Sequence, residues 1–178
     1  LPLTVSRRVL LEGGSDRRFR ALVHDLLTIS SRMEIVRGHL GARMGLSGPQ
    51  YSLLVAVAHL QGETGASVSA LAKALHVSSA FVASETGKLA QRGLVLKRTN
   101  PHDRRGVLLS IAPAGRSEIT RIGAEIRAIN DLFFAALDGQ AFTALSAAVG
   151  SLVVSSRKAV QYINAGERAH PALLEAAE

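Results

Sequence analysis

Between Ser67 and Ala112 the apolar period of the chain switches from helix to strand, and that switch limits the folds open to it. Leu71, Ala72, Leu75, Val77, Val82, Thr86 and Leu89 recur at helical spacings on either side of a "HVS" turn. Ser67 or Ser69 can cap the first of these two helices and Ser78 the second, because a hydroxyl there accepts from a free N–H of the first turn. Small Ala72 lets the two helices cross at a steep angle, and His76 tolerates the left-handed turn better than most residues. Gly93, after Arg92, suits the left-handed position beyond the second helix. "LVLKRT" and "GVLLSIA" then read as short strands around the turn-rich, basic connector "NPHDRRG". Two short helices around a tight turn, followed by a hairpin with a charged tip, make a winged helix-turn-helix.

The flanks are long and helical. Leu22, Leu26, Ile29, Met33, Val36 and Leu40 are spaced 4, 3, 4, 3, 4, one face of a helix that Ser15 or Asp16 can cap. Ser47 with Gln50 forms a capping box, with Pro49 in the first turn, for a helix carrying Leu53, Leu54, Val57 and Leu60. Pro113 starts another helix, whose face reads Ile119, Ile122, Ile126, Ile129 and Phe133. Asp138 caps a last one, with Phe142, Leu145, Val149, Leu152 and Val153 on its apolar side. The expected fold is therefore mostly α with a small β-hairpin wing. Residues 1–14 are an N-terminal arm, 15–45 and 113–164 a helical dimerisation region, 46–112 the winged helix-turn-helix, and 165–178 a tail. One copy has little left to cover the apolar faces of both long helices, so a second copy is expected on them.

Charge points to a polyanion. The 178 residues carry a formal net charge of +7 and a pI near 10.8. The excess is uneven: residues 1–45 hold 8 basic and 4 acidic side chains, 46–112 hold 7 and 3, and 113–178 hold 6 and 7. The last third is thus a poor polyanion face. The chain has no Cys, which excludes disulfides, thiolate nucleophiles and Cys-based metal sites and fits a cytoplasmic protein. No apolar run reaches a membrane span, so no membrane partner is expected. His24, His39, His59, His76, His102 and His170 show no metal spacing, and His24 and His39 would lie about 22 Å apart along one helix. No Ser–His–acid arrangement, phosphate-binding Gly loop or metal cluster supports an enzyme, and no cofactor is expected.

"HDRRGVLLSIAPAG" closely resembles the wing signature of the MarR family (multiple antibiotic resistance regulators). Asp103, Arg105, Leu109, Ile111 and Gly115 match it, with Ala112 where the family has Thr, and "RGLVLKR" resembles the segment leading into the wing. The resemblance spans about residues 16 to 162. It implies a homodimer that regulates transcription, as a repressor here, binding double-stranded DNA at a pseudo-palindrome. A recognition helix (78–91) and a basic wing (97–106) would make the contacts, and a small aromatic or phenolic ligand would release them. Symmetry of a dimer sets two such helices about one DNA turn apart.

The recognition helix departs from the family pattern. Ser84 stands where many members carry Arg, Glu85 where an aliphatic residue is usual, and Gly87 lies mid-helix at a cost of about 1 kcal/mol relative to Ala. Base contacts would come from Ser78, Ser79, Ser84 and Lys88, with Ala80 and Ala83 against thymine methyls. Ser78 is open to two readings, N-cap or DNA contact. Lys73, Lys88, Lys97 and Arg98 are candidate phosphate contacts, or solvated charges. Arg104 and Arg105 at the wing tip are assigned to DNA, where the minor groove is most negative. Asp103 would orient them, since a carboxylate repels phosphate. By family analogy an effector pocket would be lined by His24, Thr28, Arg32, Tyr51 and Leu54, Arg32 pairing with a carboxylate. The alternative to a regulator is a winged-helix protein-interaction adaptor with weak or non-specific DNA binding, motivated by Glu85 and the missing Arg.

Overall fold

The computed structural model describes residues 2–101 and 103–165, and for 103–105 the backbone alone. Seven α-helices and three strands follow in the order α1 (Arg17–Ala42), α2 (Gly48–Leu60), β1 (Ala66–Ser67), α3 (Val68–Leu75), α4 (Ser79–Gln91), β2 (Val95–Asn100), β3 (Asp103–Ile111), α5 (Pro113–Arg121), α6 (Gly123–Phe133) and α7 (Gly139–Asn164). The chain divides into two compact units, one ending at Ile129 and one beginning at Asn130. Thus α1, α5 and most of α6 are part of the same unit as the winged elements.

Helix α2 is the hub of the first unit. Its sequence is apolar on nearly every side, as a helix buried on several sides requires. Leu53, Leu54 and Val57 are fully buried, joined by Leu71 of α3, Val82 and Leu89 of α4, Val95 of β2 and Leu109 of β3. The Ser47–Gln50 capping box forms as its sequence suggests: the Gln50 N–H donates to Ser47 Oγ at 3.3 Å and the Ser47 N–H to Gln50 Oε1 at 3.2 Å. Ser67, rather than Ser69, caps α3 by accepting from the Ala70 N–H at 3.1 Å.

Four expectations need correction. The wing is not a lone hairpin: β1 pairs with β3, Ala66 opposite Leu109, giving an antiparallel sheet in the order β1-β3-β2. Strand β3 also starts earlier than the alternation suggests, at Asp103, so the backbone of Arg104 and Arg105 lies in the strand. The β2–β3 register jumps from Thr99↔Val107 to Asn100↔Asp103, leaving 104–106 as a bulge, a device that kinks a hairpin near its tip. The helix expected from Pro113 breaks at Ile122, just before Gly123. Asp16 stands at the start of α1 but its side chain makes no cap; its Oδ2 accepts from the Thr4 N–H at 2.8 Å and the Thr4 hydroxyl at 2.7 Å. That strap ties part of the expected free arm to α1, and it holds the buried Asp16 carboxyl below its usual pKa.

In the second unit α7 is capped as expected, Asp138 Oδ1 accepting from the Ala141 N–H at 2.8 Å. Phe142, Leu145, Val149, Leu152 and Val153 on its apolar side are all exposed. Over 26 residues α7 reaches a mean hydropathy of 1.2 in its most apolar window, long and apolar enough to cross a membrane by length and composition. A scan for unbroken apolar runs misses it because Ser and Gly interrupt the run.

Candidate nucleic-acid interface

The turn between α3 and α4 is set by His76, at φ 53° and ψ 40°, the one non-glycine residue with positive φ among those described. The N–H groups of His76 and Val77 both close onto the Ala72 carbonyl, ending α3 with a left-handed residue. Ser78 then starts α4, its hydroxyl accepting from the Phe81 N–H at 3.1 Å. This decides its place in the fold as the N-cap; toward DNA it has its O–H proton left to donate.

Helix α4 is held from below. Val82, Thr86 and Leu89 are fully buried, and the buried Thr86 hydroxyl donates to the Val82 carbonyl at 2.7 Å, so no polar group is stranded. The opposite face presents Ser79, Ala80, Ala83, Ser84 and Lys88, all exposed. These five expected contacts therefore share one solvent face. Within the helix Lys88 is the one base and Glu85 the one acid, so its formal charge is zero.

Glu85 is not a stray acid. Its side chain is 13% exposed and accepts from Lys88 Nζ at 2.6 Å and from Gln50 Nε2 at 2.9 Å. The Lys88 ammonium and then the Gln50 amide hold its carboxyl below the usual carboxylate range. Gln50 thus caps α2 and anchors α4 together. Sequence reading finds the first role, because its partner is three residues away, and misses the second, because Glu85 is thirty-five away.

Positive charge stands around α4 more than on it. Lys73 and Lys97 are exposed and in none of the ion pairs among the described residues. Lys97 Nζ lies 3.7 Å from the point where a Cβ on Gly87 would sit, so the mid-helix glycine lies directly beneath a cation of β2. Arg98 reaches back to the Thr64 carbonyl, which ties it to the loop before β1. Arg92, unassigned by sequence, clamps the end of α4 by donating to the carbonyls of Gly45 at 2.6 Å and Met44 at 3.0 Å. The side chains of Asp103, Arg104 and Arg105 lie outside the described residues.

The residues expected to line an effector pocket are not brought together as one. Leu54 is fully buried and Tyr51 is 8% exposed, both in the core of the unit, so a ligand would have to displace packed side chains to touch Leu54. His24, Thr28 and Arg32 form a line along the exposed part of α1. An open cavity of about 840 Å³ is lined instead by residues of β2, β3 and α5, Leu96, Arg116 and Thr120 among them. No group of His, Asp and Glu among the described residues is arranged to hold a metal ion.

Residues 44–106, from within the α1–α2 loop through the wing tip, match the model of the MarR family. Over these residues the winged core is similar to the MarR family. Solved structures agree in fold over a longer span. A probable transcriptional regulator from Pseudomonas aeruginosa is 26% identical, with a TM-score of 0.57 over 74% of this chain and 96% of its own. A mutant of MarR from E. coli, complexed with operator DNA, is 15% identical, with a TM-score of 0.62 over 76% of this chain and 95% of its own. BpsR from Bordetella bronchiseptica, whose DNA binding is regulated by 6-hydroxynicotinic acid, is 22% identical, with a TM-score of 0.60 over 75% of this chain and 98% of its own. No curated protein matches the chain. In this winged core α4 stands where a recognition helix stands in a winged helix-turn-helix, and β2–β3 form its wing.

Proposed function

We propose that this chain is a MarR-type transcriptional repressor that binds pseudo-palindromic double-stranded DNA as a homodimer. The observation that carries the reading is the exposed Ser79, Ala80, Ala83, Ser84 and Lys88 face of α4, beside a wing rooted in a three-stranded sheet. In this reading α4 enters the major groove, its serines adapting to several base edges and its alanines meeting thymine methyls. Lys73, Lys97 and Arg98 lie at phosphates. Arg104 and Arg105 reach the minor groove, and Asp103 orients them. A second copy covers the exposed apolar residues of α1 (Leu22, Leu26, Ile29, Met33) and of α7. Release by a small aromatic or phenolic acid finds support in the regulated BpsR relative, and Arg32 on α1 is the proposed carboxylate partner. Cytoplasmic location follows from the same role.

The test is duplex binding against salt. Wild type should give a steep fall of log affinity with log salt concentration. Arg104→Ala with Arg105→Ala should weaken binding at least tenfold and flatten the slope by roughly 2. Equal binding by the double variant would remove the wing from the interface. The acid on α4 favours one rival reading, a winged-helix adaptor that has given up base readout. That reading expects no enriched sequence from a random duplex pool.

A further inference from the structure

We propose that Glu85 is a positioning residue that sets DNA selectivity by holding Lys88 out of non-specific phosphate contacts. The inference rests on the DNA-binding reading above and adds a role for a residue that reading leaves unused. The geometry is a three-part latch. Gln50 Nε2 holds Glu85 Oε2 at 2.9 Å, and Gln50 is itself fixed by the α2 capping box. The other carboxylate oxygen, Oε1, accepts from Lys88 Nζ at 2.6 Å. Glu85 is largely buried, with its side chain 13% exposed, while Lys88 is 58% exposed. The acid is therefore the fixed half and the lysine the movable half.

Non-specific DNA binding is almost wholly the release of counterions by cations laid against phosphates. Lys88 is the one cation on the DNA-facing helix, and a phosphate beyond reach of the latched ammonium can recruit it only by breaking its contact with Glu85. That would leave a largely buried carboxylate without its cation, next to a polyanion. On random DNA nothing offsets this cost, so Lys88 stays latched and α4 approaches as a neutral surface. On a matching site, base-edge contacts from Lys88 and its neighbours Ser84 and Ala83 can offset it. The latch thereby lowers non-specific affinity more than specific affinity, a form of selection against wrong partners.

The experiment compares wild type, Glu85→Gln and the double variant Glu85→Gln with Lys88→Met on a non-specific duplex between about 50 and 200 mM salt. Glu85→Gln keeps an acceptor for Gln50 and frees the lysine. It should make the loss of affinity across that salt range about 3.5-fold larger, one added phosphate contact with a slope of about 0.9. The double variant, which like the wild-type pair carries no net charge at these two positions, should return to the wild-type slope. Two results overturn the proposal: Glu85→Gln with the wild-type slope, or a gain that survives Lys88→Met, which would mean that removing a negative charge suffices. Should Glu85→Gln fold poorly, Glu85→Ala is read on the same duplex in its place, and a wild-type slope from it also overturns the proposal. If wild type binds no duplex at all, the DNA-binding reading fails first, and that outcome differs from both.

Discussion

Gly115 shows how a single residue of the wing signature is dictated by packing. A Cβ built on it would lie 2.2 Å from the Leu94 carbonyl oxygen, which the Ala112 N–H already uses at 3.0 Å. Only a bare Cα lets the first turn of α5 lie this close to the strand entering the wing. Gly115→Ala must push backbone apart, and overpacking of this kind costs about 1–3 kcal/mol. The expected result is a clear drop in the chemical-denaturation midpoint, whereas Gly123→Ala, which meets only the end of the Arg127 side chain, should shift it far less. Several such residues are legible in the sequence, because their constraint is local: Ser47 with Gln50, Ser78 before α4, His76 in the turn. Asp16 is not. It occupies an N-cap position, yet its carboxylate serves Thr4, twelve residues earlier, and nothing in a local pattern distinguishes the two uses.

Among the elements, capped helices and the main strands are readable, and breaks that preserve the apolar phase are not. Ile119, Ile122, Ile126 and Ile129 keep spacings of 3, 4, 3 straight across the α5–α6 break, so periodicity predicts one helix. The two residues of β1 are likewise too short to carry an alternation, and their partner Leu109 is remote in sequence. The C-terminal end of α1 is tied to α6 by Glu125, which accepts from His39 Nε2 at 2.7 Å and Arg43 Nε at 3.0 Å. His39 first, then Arg43, holds the Glu125 carboxyl below its usual range. A carboxylate with a lowered folded pKa stabilises the fold above its unfolded pKa and loses that contribution as pH falls through the folded value. Glu125→Gln should therefore lower the melting temperature at pH 7, and the gap to wild type should close below about pH 4. A gap that persists unchanged into acid would mean that the residue acts by shape alone.

At the scale of the whole molecule the unfinished surfaces are the informative ones. The sequence places apolar faces on α1 and α7, and the structure leaves Leu22, Leu26 and Ile29 of the first and Phe142, Leu145 and Leu152 of the second exposed. A second copy across these faces is the proposed cover, and it bears directly on DNA recognition, because two-fold symmetry would dictate the form of the target. The face of α4 carries serines and alanines and no net charge, so the proposed reading shares sequence discrimination between this helix, the wing and the repetition of a weak half-site. Selection from a random duplex pool tests that account most directly. It predicts an enriched pseudo-palindrome with half-sites about one helical turn apart, roughly 10 base pairs centre to centre. Recovery of no enriched sequence, or of a single unrepeated half-site, would contradict it.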